Sequence, residues 1–281
     1  MSDPRYDEVS ERSAAAVIRG YSGSFGAASL LLAQPVRRRI RNVYALVRVA
    51  DEIVDHPDPG LARDDRARML DELEADVHRA IAVGHSANLV VHAFARTAAT
   101  CGIGPEAIGP FFRSMRTDLD RKNHDTTTFA DYVHGSAEVV GLMCLRVFLA
   151  DEPHQPDPEM ADGACRLGAA FQKLNFLRDL AEDHDVLGRS YFPGLDVERF
   201  CNADRDRLLD DIDEDLDAAA RMIPRLPGGS RRAVTAAHGT FSELARRLHE
   251  TPASEIRRGR VRVPGPVKAR IVGGALLGRV P

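Results

Sequence analysis

Two short segments carry the residues best suited to chemistry. In RNVYALVRVADEIVD, residues 41–55, Tyr44, Arg48, Asp51 and Asp55 recur at spacings of four, three and four. At 3.6 residues per turn they stack on one narrow helical face. The remainder is largely apolar (Val43, Ala45, Leu46, Val47, Val49, Ala50, Ile53, Val54), as in a helix buried around most of its circumference. In FQKLNFLRDLAED, residues 171–183, Gln172, Asn175, Asp179 and Asp183 follow at three, four and four, beside Phe171, Leu174, Leu177 and Leu180, with Arg178 as a further cation. An isolated D-x-x-x-D is usually a solvated face with i,i+4 charge pairs. Two of them inside apolar helices need another explanation, because an unpaired buried carboxylate is costly.

Carboxylate pairs facing each other across a cavity repel unless cations lie between them. Carboxylates plus an amide oxygen suit Mg²⁺, or Mn²⁺, and Mg²⁺ completes its shell with waters and substrate phosphates. The pattern therefore points to a phosphate or diphosphate ester bridged by metal, with Arg48 and Arg178 as anion partners.

The elements that must hold these residues read as helices. Apolar residues recur at three and four, and Ala, Leu, Arg and Glu abound. Helices are expected near 5–19, 26–33, 36–55, 61–84, 86–100, 105–121, 128–150, 158–187, 203–224 and 229–250. Proline-rich breaks at 56–60, 151–158 and 224–229 separate some of them. These breaks are too short for domain linkers, so the reading is one all-α domain over residues 1–281, with an unassigned basic segment at 251–281.

The 281-residue composition, 44% hydrophobic and 28% charged, excludes a disordered or disulfide-scaffold chain. A formal charge of −4 gives no reason to expect nucleic acid. Thirty-five of the 38 basic residues are arginine, a skew that reflects a GC-rich genome before it reflects function. Cys101, Cys144, Cys165 and Cys201 stand far apart and read as free thiols in a reducing compartment. A charged N-terminus without an apolar core, and no run of eighteen apolar residues, make the expected location cytoplasmic.

With these residues in view, the chain resembles the squalene/phytoene synthase family of head-to-head isoprenyl diphosphate synthases. YALVRVADEIVD at 44–55 and QKLNFLRDLAED at 172–183 resemble its two aspartate-rich motifs. SGSF at 22–25, YVHGSAEVVG at 132–141 and GRSYFP at 188–193 resemble the pocket entry, the central helix and an Arg-x-Tyr-hydrophobic-Pro element, all in family order. RVRV at 260–263 with Lys268 resembles the closing basic segment. Leu174 stands where the family commonly has Thr, and Phe241 where it has a tyrosine.

The resemblance implies an isoprenoid-synthase-type helical bundle around one central cavity. By similarity, Asp51, Asp55, Asn175, Asp179 and Asp183 would hold a Mg²⁺ cluster, the four aspartates being catalytic. Ser22, Tyr44, Arg48, Gln172 and Arg178 would bind diphosphate oxygens or order the metal shell. Phe25 would line the prenyl pocket, and Arg260 is a further diphosphate candidate. Val43, Leu46, Leu142, Phe171 and Phe176 are wall residues of the right type.

The implied reaction is head-to-head condensation of two geranylgeranyl diphosphates through prephytoene diphosphate to phytoene, in carotenoid biosynthesis. The same chemistry on farnesyl diphosphate, giving dehydrosqualene or presqualene diphosphate and squalene, is the alternative. NADPH is not expected, since there is no Gly-rich dinucleotide fingerprint. A terpene cyclase is disfavoured by the Q-x-x-N-x-x-R-D-x-x-x-D run, and a non-catalytic relative acting in assembly by the two intact aspartate pairs. The partners implied are isoprenyl diphosphates, with peripheral contact of the basic tail with an anionic membrane as a secondary arrangement. His124, His134 and His154 read as surface or capping residues, and Arg37–Arg39 as a solvated helix start.

Overall fold

The computed structural model describes residues 3–22, 24–55, 60–153, 156–186 and 188–278, and for 24, 25 and 27 the backbone alone. The Phe25 side chain and His154 thus lie outside the described residues. Among those described there is no strand; Asn123 and Ser190 form an isolated bridge. The chain runs through α1 (Pro4–Tyr21), α2 (Ser24–Ser29), α3 (Val36–Val54), α4 (Arg63–Val83), α5 (Leu89–Cys101), α6 (Pro105–Asp120), α7 (Thr126–Val133) and α8 (Val139–Leu149). It continues through α9 (Pro158–Arg178), α10 (Leu180–Asp185), α11 (Asn202–Met222), α12 (Gly228–Glu250), α13 (Ala253–Ile256) and α14 (Gly265–Leu276).

Local chemistry sets many of the boundaries. Asp3, Asn88, Asp125 and Asp157 cap α1, α5, α7 and α9 by accepting first-turn N–H bonds, each worth about 1 kcal/mol. Gly84 ends α4 in the left-handed region at φ 79°.

Two helix expectations are corrected. The helix expected over 128–150 contains a π turn at His134–Glu138, which inserts one residue between α7 and α8. The helix expected over 158–187 is interrupted at Asp179, which leaves helical dihedrals (φ −99°, ψ 10°). Asp179 N–H still donates to Asn175 C=O at 2.9 Å, and Asp183 N–H to Asp179 C=O at 2.9 Å. The break is therefore a kink that keeps the four-residue register, so the polar row survives it. The unassigned tail holds α13 and α14, joined by a turn at 257–259 and an irregular stretch at 260–264.

Two apolar clusters support the two polar rows. One joins α3, α4, α5, α6 and α8, with Ile40, Val43, Leu46, Ala50 and Phe94 buried within it. The other joins α9, α11 and α12, with Leu174, Leu177, Leu209, Ile212 and Leu248 buried within it. α8 packs on both α3 and α9 and spaces them. Gly141 of α8 lies against the Ala164 carbonyl, and Gly168 of α9 against that of Ala137; a Cβ at either would come within 2.3 and 2.5 Å of those oxygens. Only glycine permits this approach, which fixes how closely α9 sits to the central run. The run Thr126–Leu149 is apolar and long enough to cross a membrane by composition, but half of its most apolar window is buried inside the protein.

The four cysteines are free. The arginine run is not simply solvated: Arg37 donates to the Leu30 and Leu32 carbonyls, and Arg39 pairs with Asp151 at 2.6 Å. Long-range partners on the preceding turn and on the α8–α9 connection were invisible in the local pattern.

Candidate active site

The phase of α3 follows from its buried face. With Val43, Leu46, Ala50, Ile53 and Val54 in the core, Tyr44, Arg48 and Asp51 emerge half-buried on another side. Ser22, at the end of α1, hydrogen-bonds Tyr44 and accepts the Gly26 N–H at 2.9 Å. Burial raises the Tyr44 hydroxyl above its ordinary range. Arg48 pairs with Glu52 one turn on, and its guanidinium lies 4.5 Å from the centroid of the Tyr21 ring. Its Nε is buried without a partner.

The phase of α9 is fixed from behind. Asp215 of α11 is 1% exposed and receives Lys173 Nζ at 2.8 Å and Arg166 Nη1 at 2.8 Å, both from α9. With Leu174 and Leu177 buried and Lys173 turned to α11, Gln172, Asn175 and Asp179 share the remaining side. Gln172 and Asn175 hold no side-chain hydrogen bond among the described residues. Asp179 receives two guanidinium forks. Arg178 reaches it at 2.9 and 2.5 Å, and Arg260 at 2.7 and 3.2 Å.

Arg189 brings the two rows together. Its backbone N–H donates to the Asp183 carbonyl at 2.8 Å, while its side chain pairs with Asp55 at 2.9 Å. It also donates to the Asp118 carbonyl and the Tyr191 hydroxyl, both at 3.4 Å. Burial pulls the guanidinium down, but Tyr191, Asp118 and Asp55 outweigh it and hold Arg189 above its ordinary range. Behind it, Tyr132 donates to Asp118 Oδ2 at 2.8 Å, while Asp118 Oδ1 is buried and unpaired.

This part of the site carries more negative charge than its cations neutralise. Burial, then Asp55, pushes Asp51 up to about 8, against a partial offset from Arg48. Burial, then Asp179, pushes Asp183 up to about 7, with Asp55 adding to the rise. Asp118 is pushed up to about 7 by burial, with Asp55 contributing. The Asp55 contribution to Asp183 follows from the contact that Arg189 makes between the two segments. Beside Arg178 and Arg260 opens a cavity of about 300 Å³, also lined by Phe241, Leu244, Arg262 and Lys268. Phe241 stacks on Phe171 at 3.7 Å, placing Phe171 next to that cavity. Phe176 turns away into an aromatic stack with Tyr191 at 3.9 Å, and Val43 and Leu46 are 1% exposed in the core. These three expected wall residues therefore support the site from behind.

The donor set fits a hard divalent cation. It is all oxygen, and crowding raises Asp51 and Asp183 in a way that a cation would relieve. Among the described residues no three His, Cys, Asp or Glu side chains are grouped to hold one ion. The carboxylates instead form a divided set whose halves meet at Asp55, Asp183 and Arg189.

Sequence reasoning quoted Arg189, Tyr191 and Tyr132 within recognisable segments without placing them in the site. Asp118 gave no signal, being one acid on an amphipathic helix. His134 pairs with Glu138 at 2.8 Å on the π turn, and His124 is buried at 7% exposure against the Thr128 carbonyl. The surface expectation thus fails for His124.

These features define an all-α isoprenoid-synthase fold with a carboxylate- and arginine-rich site. A dehydrosqualene synthase crystal structure superposes with a TM-score of 0.78 over 98% of this chain and 99% of its own, at 22% identity. Residues 18–266 match the squalene/phytoene synthase family, and the chain belongs to it. It is 32% identical over 203 residues to the 15-cis-phytoene synthase of a Synechocystis species, covering 69% of this chain and 58% of that one. To the 4,4'-diapophytoene synthase of Staphylococcus haemolyticus it is 27% identical over 205 residues, covering 69% and 67%. The chain therefore spans somewhat over half the length of the first relative and two thirds of the second.

Proposed function

We propose that the protein is a prenyltransferase that condenses two geranylgeranyl diphosphates head to head, through prephytoene diphosphate, to phytoene. The observation that carries this reading is the meeting of the two aspartate rows at Asp55, Asp183 and Arg189, with Arg178 and Arg260 beside them. Family membership and the likeness to a phytoene synthase support it.

In the first step an allylic C–O bond breaks and inorganic diphosphate departs. The double bond of the second substrate attacks the C1 cation, and a proton is lost as the cyclopropane closes. In the second step the remaining diphosphate leaves, the carbon skeleton rearranges, and a second proton loss forms the central double bond. The proposed reaction is redox-neutral and consumes no NADPH. Bound at Asp51, Asp55, Asn175, Asp179 and Asp183, Mg²⁺ would supply charge neutralisation for the departing diphosphate. Arg48, Arg178 and Arg260 stabilise the same oxygens, and Ser22, Tyr44 and Gln172 orient them. Phe171 and Phe241 present aromatic faces beside the cavity, where they keep water from the cation.

A second reading, the same chemistry on farnesyl diphosphate, is favoured by the diapophytoene synthase relative and the dehydrosqualene synthase superposition. Incubation with each diphosphate, with and without Mg²⁺ and NADPH, followed by mass spectrometry, separates them. A C40 hydrocarbon with a central triene is expected from Mg²⁺ alone. A C30 product would establish the second reading, and absence of any product or released diphosphate would contradict both.

A further inference from the structure

The stretch 257–263, between α13 and α14, lies over α10. Its flanks are fixed: Ile256 is 0% and Val263 9% exposed in the cluster around α9 and α11. Between them Arg258, Gly259, Arg260 and Arg262 are exposed. Residues 260–263 take part in no backbone–backbone hydrogen bond among the described residues. Side chains must therefore hold this strap in place.

Two guanidinium forks do so. Arg257 grips Asp185 with both nitrogens at 2.7 Å, and Arg260 grips Asp179. The carboxylates are six residues apart on a helical segment, about 9 Å at 1.5 Å per residue. The arginines are three apart across a turn, with Arg257 in helical dihedrals and Gly259 N–H donating to the Glu255 carbonyl at 3.1 Å. With Arg257 on Asp185 and Arg260 on Asp179, the strap runs antiparallel to α10. The two contacts differ in surroundings. Asp185 ends α10, where its charge opposes the helix dipole and the Arg257 fork offsets it. Asp179 already has Arg178 as a second partner, so Arg260 can leave without stranding it.

We propose that strap and α10 form a two-point clip, with Arg257–Asp185 as the fixed point and Arg260–Asp179 as the exchangeable one. Arg257 and Asp185 are positioning residues: they touch no substrate, and they hold Arg260 where it transfers from the Asp179 carboxylate to diphosphate oxygens. Carboxylate and phosphate are equivalent bidentate partners for a guanidinium, so the exchange conserves the fork geometry. The unbonded backbone of 260–263 lets Arg260 move while Arg257 stays anchored. This inference rests on the diphosphate-binding reading above.

The test is calorimetric titration of the full chain with inorganic diphosphate in excess Mg²⁺, for wild type, Arg257→Ala, Asp185→Asn and the charge-swapped Arg257→Asp/Asp185→Arg pair. Each single variant should weaken binding about tenfold, through loss of a pre-organised guanidinium, with helical content unchanged. The swapped pair should return to within about threefold of wild type. In turnover, the single variants should raise KM and leave kcat near wild type. Wild-type binding with unaltered affinity in Arg257→Ala would overturn the clip alone, as would a swapped pair no tighter than the single variants. A wild-type chain that binds no diphosphate would overturn the functional reading and the clip with it.

Discussion

The two aspartate segments share one spacing, but their leading carboxylates, Asp51 and Asp179, meet different partners. Asp51 stands on an uninterrupted helix welded into the core, with Arg48 engaged by Glu52 and Tyr21, and its carboxyl is pushed up to about 8. Asp179 sits at a kink, gripped by Arg178 from its own helix and Arg260 from the C-terminal strap. The spacing D-x-x-x-D sets which face carries the carboxylates. What that face meets is decided by elements far away in sequence. On the proposed reading, Asp51 awaits a cation, while Asp179 already holds two arginines that diphosphate would draw away.

The largest effect expected from breaking this comparison is on turnover, where both halves are needed. Asp51→Asn and Asp179→Asn should each lower diphosphate release by about 10²–10³-fold or more, the scale of losing one preorganised electrostatic group. Arg189→Gln removes the link between the halves. It should cost about tenfold to a hundredfold in kcat, and should shift Mg²⁺ half-saturation, because Asp55 loses the side chain that ties it to the backbone turn at Asp183.

Melting of the metal-free protein should separate the halves. Asp51 has a folded value near 8 against 3.8 in the unfolded chain, so between those values the folded state binds the extra proton. Stability must then fall as pH rises through that window, with the loss complete above about 8. Asp51→Asn removes this term and should melt above wild type at pH 8, at about 2–4 °C per kcal/mol recovered. Asp179→Asn takes away the shared partner of two arginines and should melt lower. Shifts of the same sign in both variants would remove the contrast. The smallest effect is Arg48→Lys, which keeps the charge and loses the planar fork; a severalfold rise in KM is expected from initial rates.

Much of α3 was legible because its signal is local. Apolar residues at helical spacing fix the buried face, and the four polar residues fall opposite by geometry alone. The second row was also legible, since the four-residue register persists through Asp179, but the kink itself was not. Leu180, Ala181 and Glu182 all favour helix, and what meets Asp179 there comes from residue 260, across the fold. The π turn was hidden for a similar reason: it packs against α6 and α9, and Gly135 within it, read locally as a tolerated helix glycine, lies where a Cβ would come within 2.4 Å of the Pro110 carbonyl. Asp118 and Arg189 became site residues only through tertiary contacts with Tyr132 and Asp55. In the strap only the short alternation RVRV at 260–263 stands out, and it marks Arg260 without showing that Asp179 and Asp185 are what Arg260 and Arg257 meet.

The most direct test of the central claim is release of inorganic diphosphate from geranylgeranyl diphosphate across a Mg²⁺ titration, for wild type, Asp51→Asn and Asp179→Asn side by side. The account predicts Mg²⁺-dependent release from wild type and none above background from either variant, although the two variants melt on opposite sides of wild type. Release from either variant at the wild-type rate would contradict the claim that both carboxylate rows act as one site.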